Sequence, residues 1–483
     1  MQITTILRIL GLLLLILSLS FIPPLFIEWW FQEHCTLPFV QSFGITLFSG
    51  ALLAFIFRSH NQPLRIQDGF LIVVLFWFLA GTVGALPLWF AFDPKLSFTN
   101  AFFESVSGIT TTGSTIFYHL DHLPHCILYY RQQMQFLGGI SIIILAVAIL
   151  PTLGIGGMQL FRTEVTGPVK DDKLTPRITQ TAKAIWMIYV AMTALCAFCY
   201  WLAGMSWFDA IGYSFGTVST GGFASHDMGI SYFNSPYIKI IAMVFMFLGA
   251  INFNLHYLAI RRRTFKNYFH DPELRYYLKL MFSAFIIIWT TMAFSSAQFG
   301  THHLALDTLF QAMSFATTSG YATVDLSLWP SFIAILLLFL GVIGGCAGST
   351  TGGIKVVRAL LLQKQGTREI RRLIHPHGQY VVKFGKIPLS QRIIEAIWGF
   401  FAVYCAVFSL LLLLLLVVEQ DFLTAYSALI AAISNSGHGL GQVVQNFSSL
   451  TDYAKWILSF AMIAGRLEIF TILVLFTPTF WRR

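Results

Sequence analysis

The sequence predicts an all-α polytopic membrane protein with about ten transmembrane helices. An N-terminal two-helix domain precedes four copies of a helix, re-entrant segment, helix unit. Three observations predict this. The 483-residue chain is 56% hydrophobic and only 11% charged, whereas a soluble domain carries roughly 25% charged residues. Apolar runs of bilayer length recur along it. A short motif of hydroxyls and glycine returns four times between those runs.

Ten spans follow from hydropathy: 5–28, 40–57, 69–92, 129–151, 181–204, 237–260, 278–298, 331–360 (interrupted), 393–418 and 454–476. The first follows only Arg8 and has no small-residue cleavage site, so it reads as a retained helix. The net charge of +9 sits mainly on one side. Its loops carry Arg58 and Arg65; then Arg162, Lys170, Lys173, Arg177 and Lys183; then Arg261, Arg262, Arg263, Lys266, Arg275 and Lys279; then Lys364, Arg368, Arg371, Arg372, Lys383, Lys386 and Arg392; and last Arg482 and Arg483. The opposite loops hold Lys95, with Arg131, Lys239 and Lys455 at helix ends. The basic side is expected to be cytoplasmic, and both termini with it. Topology accounts for the basic charge, so no nucleic-acid partner is expected. The six cysteines form no metal pattern. Cys35 and Cys126 both fall on the outer side, where a disulfide is an open possibility.

The fourfold motif lies in 100-NAFFESVSGITTTGST-115, 209-DAIGYSFGTVSTGGFA-224, 307-DTLFQAMSFATTSGYA-322 and 424-TAYSALIAAISNSGHG-439. Each segment opens on a residue suited to helix capping: Asn100, Asp209, Asp307 and Thr424. Thirteen positions on stands Gly113, Gly222, Gly320 or Gly437, and three before that glycine a hydroxyl, Thr110, Ser219, Thr317 or Ser434. The glycines are 109, 98 and 117 residues apart, which implies four modules rather than a solenoid. A helix of ~10–12 residues spans about 15–18 Å and cannot cross a ~30 Å core. It must enter and turn back, and irregular backbone at that depth must be buried in protein or face water. Four such turns about an axis would surround a pore with oxygens able to replace a cation's hydration shell. Hydroxyls and backbone carbonyls both offer those oxygens. Glycine allows the backbone to turn inward, and the short helices aim their negative C-terminal ends at the axis.

The expected filter residues are Thr110, Thr111, Thr112, Gly113, Ser219, Thr220, Gly221, Gly222, Thr317, Thr318, Ser319, Gly320, Ser434, Asn435, Ser436 and Gly437. Spacing from Asp209 pairs Gly222 with Gly113. The domains run 1–65, 66–165 (pore loop 98–115), 166–270 (pore loop 207–224), 271–375 (pore loop 305–322) and 376–483 (pore loop 422–439). The eighth span is broken by 344-GGCAGSTTGG-353, too rich in glycine to stay helical. It is expected to line the pore below the filter as a gate made of Gly345, Gly348, Ser349, Thr350, Thr351, Gly352, Gly353 and Lys355. Ile354 separates Gly353 from Lys355, so a phosphate-binding loop is rejected.

Arg466 stands inside the last span, where an ionised side chain costs at least ~2.5–3.5 kcal/mol unless paired or hydrated. Aligning FLGG (136–139), FLGA (247–250), FLGV (339–342) and IAGR (463–466) sets it opposite Gly139, Ala250 and Val342. There it would repel cations or hold the gate loop by its carbonyls. Glu468 lies two residues on and on a different face of a helix. Asp121, Asp227, Asp325 and Asp452 would gather cations at the outer mouth. The stretch 212-GYSFG-216 fits a hydrolase elbow only between a strand and a helix, and His119, His122, His125, His302 and His303 form no convincing metal site; no enzyme is expected.

Taken together, the four loops, 344-GGCAGSTTGGIKVVRALLLQKQG-366, 464-AGRLEIFTILVLFTPTFW-481 and 149-ILPTLGIGGMQLFRTE-164 resemble the Trk/Ktr/HKT superfamily of potassium transporters, in its bacterial Trk branch. The resemblance covers essentially the whole chain. It implies four M1–P–M2 potassium-channel-like modules in pseudo-fourfold symmetry and selective potassium translocation in a bacterial inner membrane. It implies gating at the intramembrane loop, a homodimer, and a TrkA-type cytosolic ring that carries the nucleotide sites. The potassium ion would be the transported species, with no nucleotide on this chain. Asn435 and the 219-STGG-222 variant depart from the threonine pattern, so a strictly symmetric filter is not expected. A secondary transporter coupling potassium to protons or sodium is the alternative. Loops 261–279 and 362–392 are the expected docking face for the ring.

Overall fold

The computed structural model describes residues 1–58, 64–92, 96–139, 178–295, 304–418 and 421–482. Lys95, Arg162, Lys170, Lys173, Arg177, His302, His303, Arg483 and the 149–164 stretch lie outside the described residues.

The chain is built from α-helices and one two-stranded hairpin, β1 (Lys383–Phe384) and β2 (Ile387–Pro388). Among the described residues six helices are long and apolar enough to span a bilayer: Ile3–Phe31, Thr36–Ile56, Gln67–Phe90, Thr181–Leu202, Pro272–Phe294 and Gln391–Val418. The first comprises α1 (Ile3–Ser18) and α2 (Ile22–Phe31), joined by a 3₁₀ turn. The others are α3 (Thr36–Ile56), α4 (Ile66–Phe90), α7 (Ile178–Leu202), α12 (Pro272–Ser295) and α16 (Gln391–Val418). Large apolar side chains such as Phe48, Phe294, Leu413 and Val417 stand exposed on these spans, as helices facing lipid require. Helix α3 packs against α1, and α1 against α4, so the N-terminal pair leans on the first module.

Four short helices return part-way: α5 (Phe98–Ile109), α8 (Trp207–Val218), α13 (Leu304–Ala316) and α17 (Phe422–Ile433). Their lengths of 12, 12, 13 and 12 residues match the re-entrant expectation. The expected caps are corrected. Ser97, Ser206 and Asp421 cap α5, α8 and α17 by accepting from the N–H of Asn100, Asp209 and Thr424. Those three residues occupy the third helical position, where a polar side chain is also favoured. Asp307 likewise lies inside α13, in its first turn.

The second helix is broken where the aligned motif ends in the three modules whose continuation is described. In module 2, α9 (Pro236–Ala250) turns by 93° into α10 (Phe253–Arg262). In module 3, α14 (Ser331–Ile343) gives way to the 344–355 loop and then α15 (Val356–Ile374). In module 4, α18 (Asp452–Arg466) turns by 105° into Phe470–Phe476. In module 1, α6 (125–139) is described to Gly139. Thus the expected spans 237–260 and 454–476 are bent rather than straight, and 331–360 is interrupted as expected. A further helix, α11 (Lys266–His270), links modules 2 and 3.

One glycine recurs in all four aligned motifs for a packing reason. A Cβ on Gly138 would fall 1.9 Å from the Ile109 carbonyl, on Gly249 2.7 Å from that of Val218, and on Gly465 2.0 Å from that of Ile433. At Gly341 the contact is looser, with the Phe315 carbonyl, one residue earlier in its pore helix, 3.8 Å away. Each second helix therefore touches the C-terminal end of its own pore helix.

Charge inside the apolar body is paired. Arg131, expected merely at a helix end, is buried and its Nε donates to Glu104 Oε1 at 2.7 Å. Glu104 also accepts from the Ile116 N–H at 2.8 Å, while Arg131 donates to Thr115 Oγ1 and the Ala224 carbonyl. The pair thus ties the strands leaving two neighbouring motifs. Lys239 and Asp307 make a 2.7 Å pair between modules 2 and 3. Removing one partner of a buried pair costs about 3–5 kcal/mol. Glu104→Ala should therefore lower the thermal midpoint in detergent markedly, whereas Asp452→Ala, at an exposed helix start, should leave it nearly unchanged; the two melting curves check this.

Candidate ion-conduction site

The four motifs meet. A Cβ on Gly113 would lie 2.1 Å from the Gly221 carbonyl, on Gly222 2.1 Å from that of Ser319, on Gly320 3.2 Å from that of Ser436, and on Gly437 2.4 Å from that of Thr112. The pattern runs from module 1 to 2, 3, 4 and back to 1. It is a closed ring in which each module's glycine faces the preceding-residue carbonyl of its neighbour.

The backbone repeats in every module. Thr111, Thr220, Thr318 and Asn435 are left-handed, with φ of 55°, 55°, 53° and 50°. Gly113, Gly222, Gly320 and Gly437 follow at 86°, 78°, 77° and 74°, which makes Gly222, not Gly221, the counterpart of Gly113. The residues before and between these have negative φ. Alternating sign rotates successive carbonyls toward one side of the strand, where uniform extension would alternate them. The N–H groups are turned away: those of Thr112, Gly221, Ser319 and Ser436 donate back to Ser107, Gly216, Ser314 and Ala431 at 2.8, 2.8, 2.8 and 2.9 Å. Holding a non-glycine residue left-handed costs about 1–2 kcal/mol, and asparagine tolerates it best, which suits position 435.

The hydroxyls of three modules pair along the strand. Thr110 and Thr112 bond to each other at 2.7 Å, Thr317 and Ser319 at 2.7 Å, and Ser434 and Ser436 at 3.1 Å. These pairs brace the strand. Asn435 Nδ2 donates to Thr112 Oγ1 and the Met462 carbonyl, a cross-module tie absent from the threonine modules. The expected filter residues all lie in this ring.

The 344–355 loop lies against the ring's inner end and touches the motifs of modules 2, 3 and 4. Thr350 Oγ1 donates to the Val218 and Gly249 carbonyls, each at 3.1 Å, and lies 3.2 Å from Thr220 Oγ1. The Gly352 N–H donates to Thr318 Oγ1 at 2.9 Å. A Cβ on Gly352 would fall 2.0 Å from the Ser434 carbonyl, so only glycine fits. Arg466 closes the circuit, donating from Nη1 to the Thr350 carbonyl at 2.8 Å and from Nη2 to the Gly138 carbonyl at 3.0 Å. Lys355 Nζ donates to the Thr351 carbonyl. Ser349 Oγ donates to the Cys346 carbonyl and contacts Thr351 Oγ1. Gly344, Gly348 and Gly353 carry positive φ, and Gly345 accepts from the Val356 N–H.

Three residues not singled out in the sequence, and Glu468, belong here. Buried Glu273, at the start of α12, accepts from the N–H of Ala347 and of Val357, at 2.7 and 3.2 Å. It clamps both ends of the loop. Gln135 donates to the Gly221 carbonyl and accepts from the Phe223 N–H. His438 bridges the Ser436 and Tyr321 carbonyls. Glu468 pairs with Arg358 at the head of α15, not with Arg466.

The outer acids are mostly structural. Asp121 binds His226 at 2.5 Å, and Asp227 accepts from the Leu120 N–H. Asp325 caps a 3₁₀ turn, and Asp452 opens α18. Cys35 and Cys126 are free thiols. Among the described residues no cluster of His, Cys, Asp and Glu could hold a metal.

His226 sits between Asp121 and Asp209, 3.3 Å from the latter, with Tyr232 stacked on its ring. Burial lowers its pKa, but hydrogen bonds and charge from Asp209 and Asp121 outweigh this and leave it raised. A raised folded value gives stability that is full below the unfolded imidazole pKa of about 6.5 and is lost as pH rises through the folded value. The melting temperature should therefore fall as pH rises through that window, and His226→Gln should flatten the fall; melting curves from acid to mildly alkaline pH check it.

Comparison with known proteins agrees with this geometry. The family described as TrkH, cation transport protein, matches residues 37–483. The Trk system potassium uptake protein TrkH of Vibrio parahaemolyticus is 47% identical over 484 residues, covering 100% of both chains. The Trk system potassium uptake protein TrkG of Escherichia coli is 40% identical over 472 residues, covering 98% of this chain and 97% of that one. The crystal structure of the potassium transporter TrkH from Vibrio parahaemolyticus superposes with a TM-score of 0.91 at 45% identity, covering 100% of both chains.

Proposed function

The chain belongs to the TrkH family of cation transport proteins, and from that premise we propose that it takes up potassium through the carbonyl ring. It is a multi-pass membrane transporter of the Trk potassium uptake type, not an enzyme. The observation that carries the finer reading is the closed cycle of glycine against carbonyl from Gly113 round to Gly437.

A potassium ion that sheds water needs oxygens at fixed distance and low cost. The ring offers carbonyls held by four matching N–H closures, at the negative ends of four short helices. The 344–355 loop blocks the path at the inner end. Arg466 both holds that loop and sets a positive charge beside the path. Opening requires Thr350 to leave Arg466 and the Val218 and Gly249 carbonyls, with the ends still hinged on Glu273. The basic face is the cytoplasmic one by the positive-inside rule, which sets both termini in the cytoplasm of a bacterial inner membrane. A homodimer and a TrkA-type nucleotide-binding ring docked on loops 261–279 and 362–392 complete the assembly.

The reading is tested by rubidium-86 uptake into proteoliposomes holding the chain, with potassium, sodium and N-methylglucamine as competitors. Uptake driven by a potassium gradient, blocked by potassium and weakly by sodium, supports it. A requirement for an imposed proton or sodium gradient would replace it with coupled transport. Arg466→Ala removes two charge-assisted bonds of about 1.5–3 kcal/mol each, so flux should rise by about tenfold or more; unchanged flux would remove Arg466 from the gate. Gly222→Ala sets a methyl against the Ser319 carbonyl, and uptake should be lost in protein that still purifies as wild type does.

A further inference from the structure

Helix α15 begins at the gate loop and carries its charge onward. Lys364, Arg368 and Arg371 project from it into a cleft of about 520 Å³, closed on the other side by Gln379, Tyr380 and Lys383 from the chain leading to β1. Four cationic side chains thus line one concavity, beside the hydrogen-bonding groups of Thr367, Gln363, Gln379 and Tyr380. The one nearby acid, Glu369, pairs with Arg368 and Arg372 along the helix and is not among the lining residues. Lys364 Nζ also donates to the Lys383 backbone carbonyl at 2.7 Å, which ties α15 to the opposite wall. Arranging like charges in one pocket costs free energy that a polyanion repays, and guanidinium forks match phosphate oxygens two at a time.

We infer that this cleft is a regulatory binding site for a phosphate-bearing anion, and that its occupancy biases the gate. The cleft has one wall on module 3 and the other on the segment leading into α16 of module 4. Its geometry changes whenever α15 shifts against that segment. At its other end α15 is tied to the loop by Lys355 on the Thr351 carbonyl, by the Val357 N–H on Glu273, and by Arg358 on Glu468 beyond the bend of module 4. Loop displacement therefore moves a cleft wall, so the anion binds the two loop positions with different affinity, as any ligand that shifts an equilibrium must. The phosphate can come from a soluble polyphosphate or from an anionic lipid headgroup at the cytoplasmic surface.

The test uses the full chain in nanodiscs of phosphatidylcholine, titrated with pyrophosphate, and compares Arg368→Gln/Arg371→Gln with Arg275→Gln, a control on the same basic face outside the cleft. Saturable binding that weakens about tenfold or more in the double variant, falls with salt and is unchanged in the control is expected. Phosphatidylglycerol distinguishes the sources, with binding read in nanodiscs and rubidium flux in proteoliposomes of the same lipid. If the headgroup is the ligand, phosphatidylglycerol abolishes pyrophosphate binding and alters rubidium flux in wild type but not in the double variant. If a soluble anion is the ligand, pyrophosphate still binds in phosphatidylglycerol and alters flux. Absence of saturable pyrophosphate binding together with flux indifferent to phosphatidylglycerol would overturn the site, as would equal binding by wild type and double variant. Monodispersity and wild-type melting of the double variant exclude misfolding as the cause. Only the flux arm rests on the transport reading. Binding without any change in flux would overturn the regulatory role and leave that reading standing.

Discussion

Everything in this molecule depends on a backbone constraint repeated four times. A short helix ends, its chain turns left-handed at one residue and again at a glycine two residues on, and the N–H between them closes back onto the helix. That closure turns those N–H groups back onto the pore helix. At Gly113, Gly222 and Gly437 a side chain would overlap the neighbouring module's carbonyl, and at Gly320 it would press on it. The four modules are thus interlocked around their ring.

The rest of the fold serves that constraint. The second helix of each module approaches its pore helix through one glycine, then breaks within a few residues in the three modules where the continuation is described. Those breaks make room beneath the ring for the 344–355 loop. Buried charges knit the modules where lipid offers no solvation: Glu104 with Arg131 at the outer end, Asp307 with Lys239 between modules, and Glu273 with two N–H groups at the loop. Each has a partner, as an ionisable group in an apolar body requires. Arg466 is the same economy put to a dynamic use, since its partners are carbonyls of a segment that can move.

Much of this was legible in the sequence, and the reasons are physical. The fourfold motif could be read because a pore helix of fixed length must be followed by a glycine at fixed distance. The loop at 344–353 could be read because five glycines in ten residues cannot stay helical. The choice between Gly221 and Gly222 rested on spacing alone, and backbone dihedrals gave the same answer. The caps were misplaced because Asn100, Asp209 and Thr424 are plausible capping residues three positions inside the helix that Ser97, Ser206 and Asp421 actually cap. The pairing of the hydroxyls within a strand was out of reach, since sequence does not tell which side chains of a turn meet. Glu273 and Gln135 were missed because their partners are backbone groups more than 70 residues away, which leave no trace in composition or period.

The most direct measurement is anomalous diffraction from crystals soaked in rubidium or thallium. A carbonyl ring predicts cation density on the axis, bounded by Thr110–Gly113, Ser219–Gly222, Thr317–Gly320 and Ser434–Gly437, with all four modules contributing. Density away from that ring, or held by one or two modules through their side-chain hydroxyls, would contradict the account.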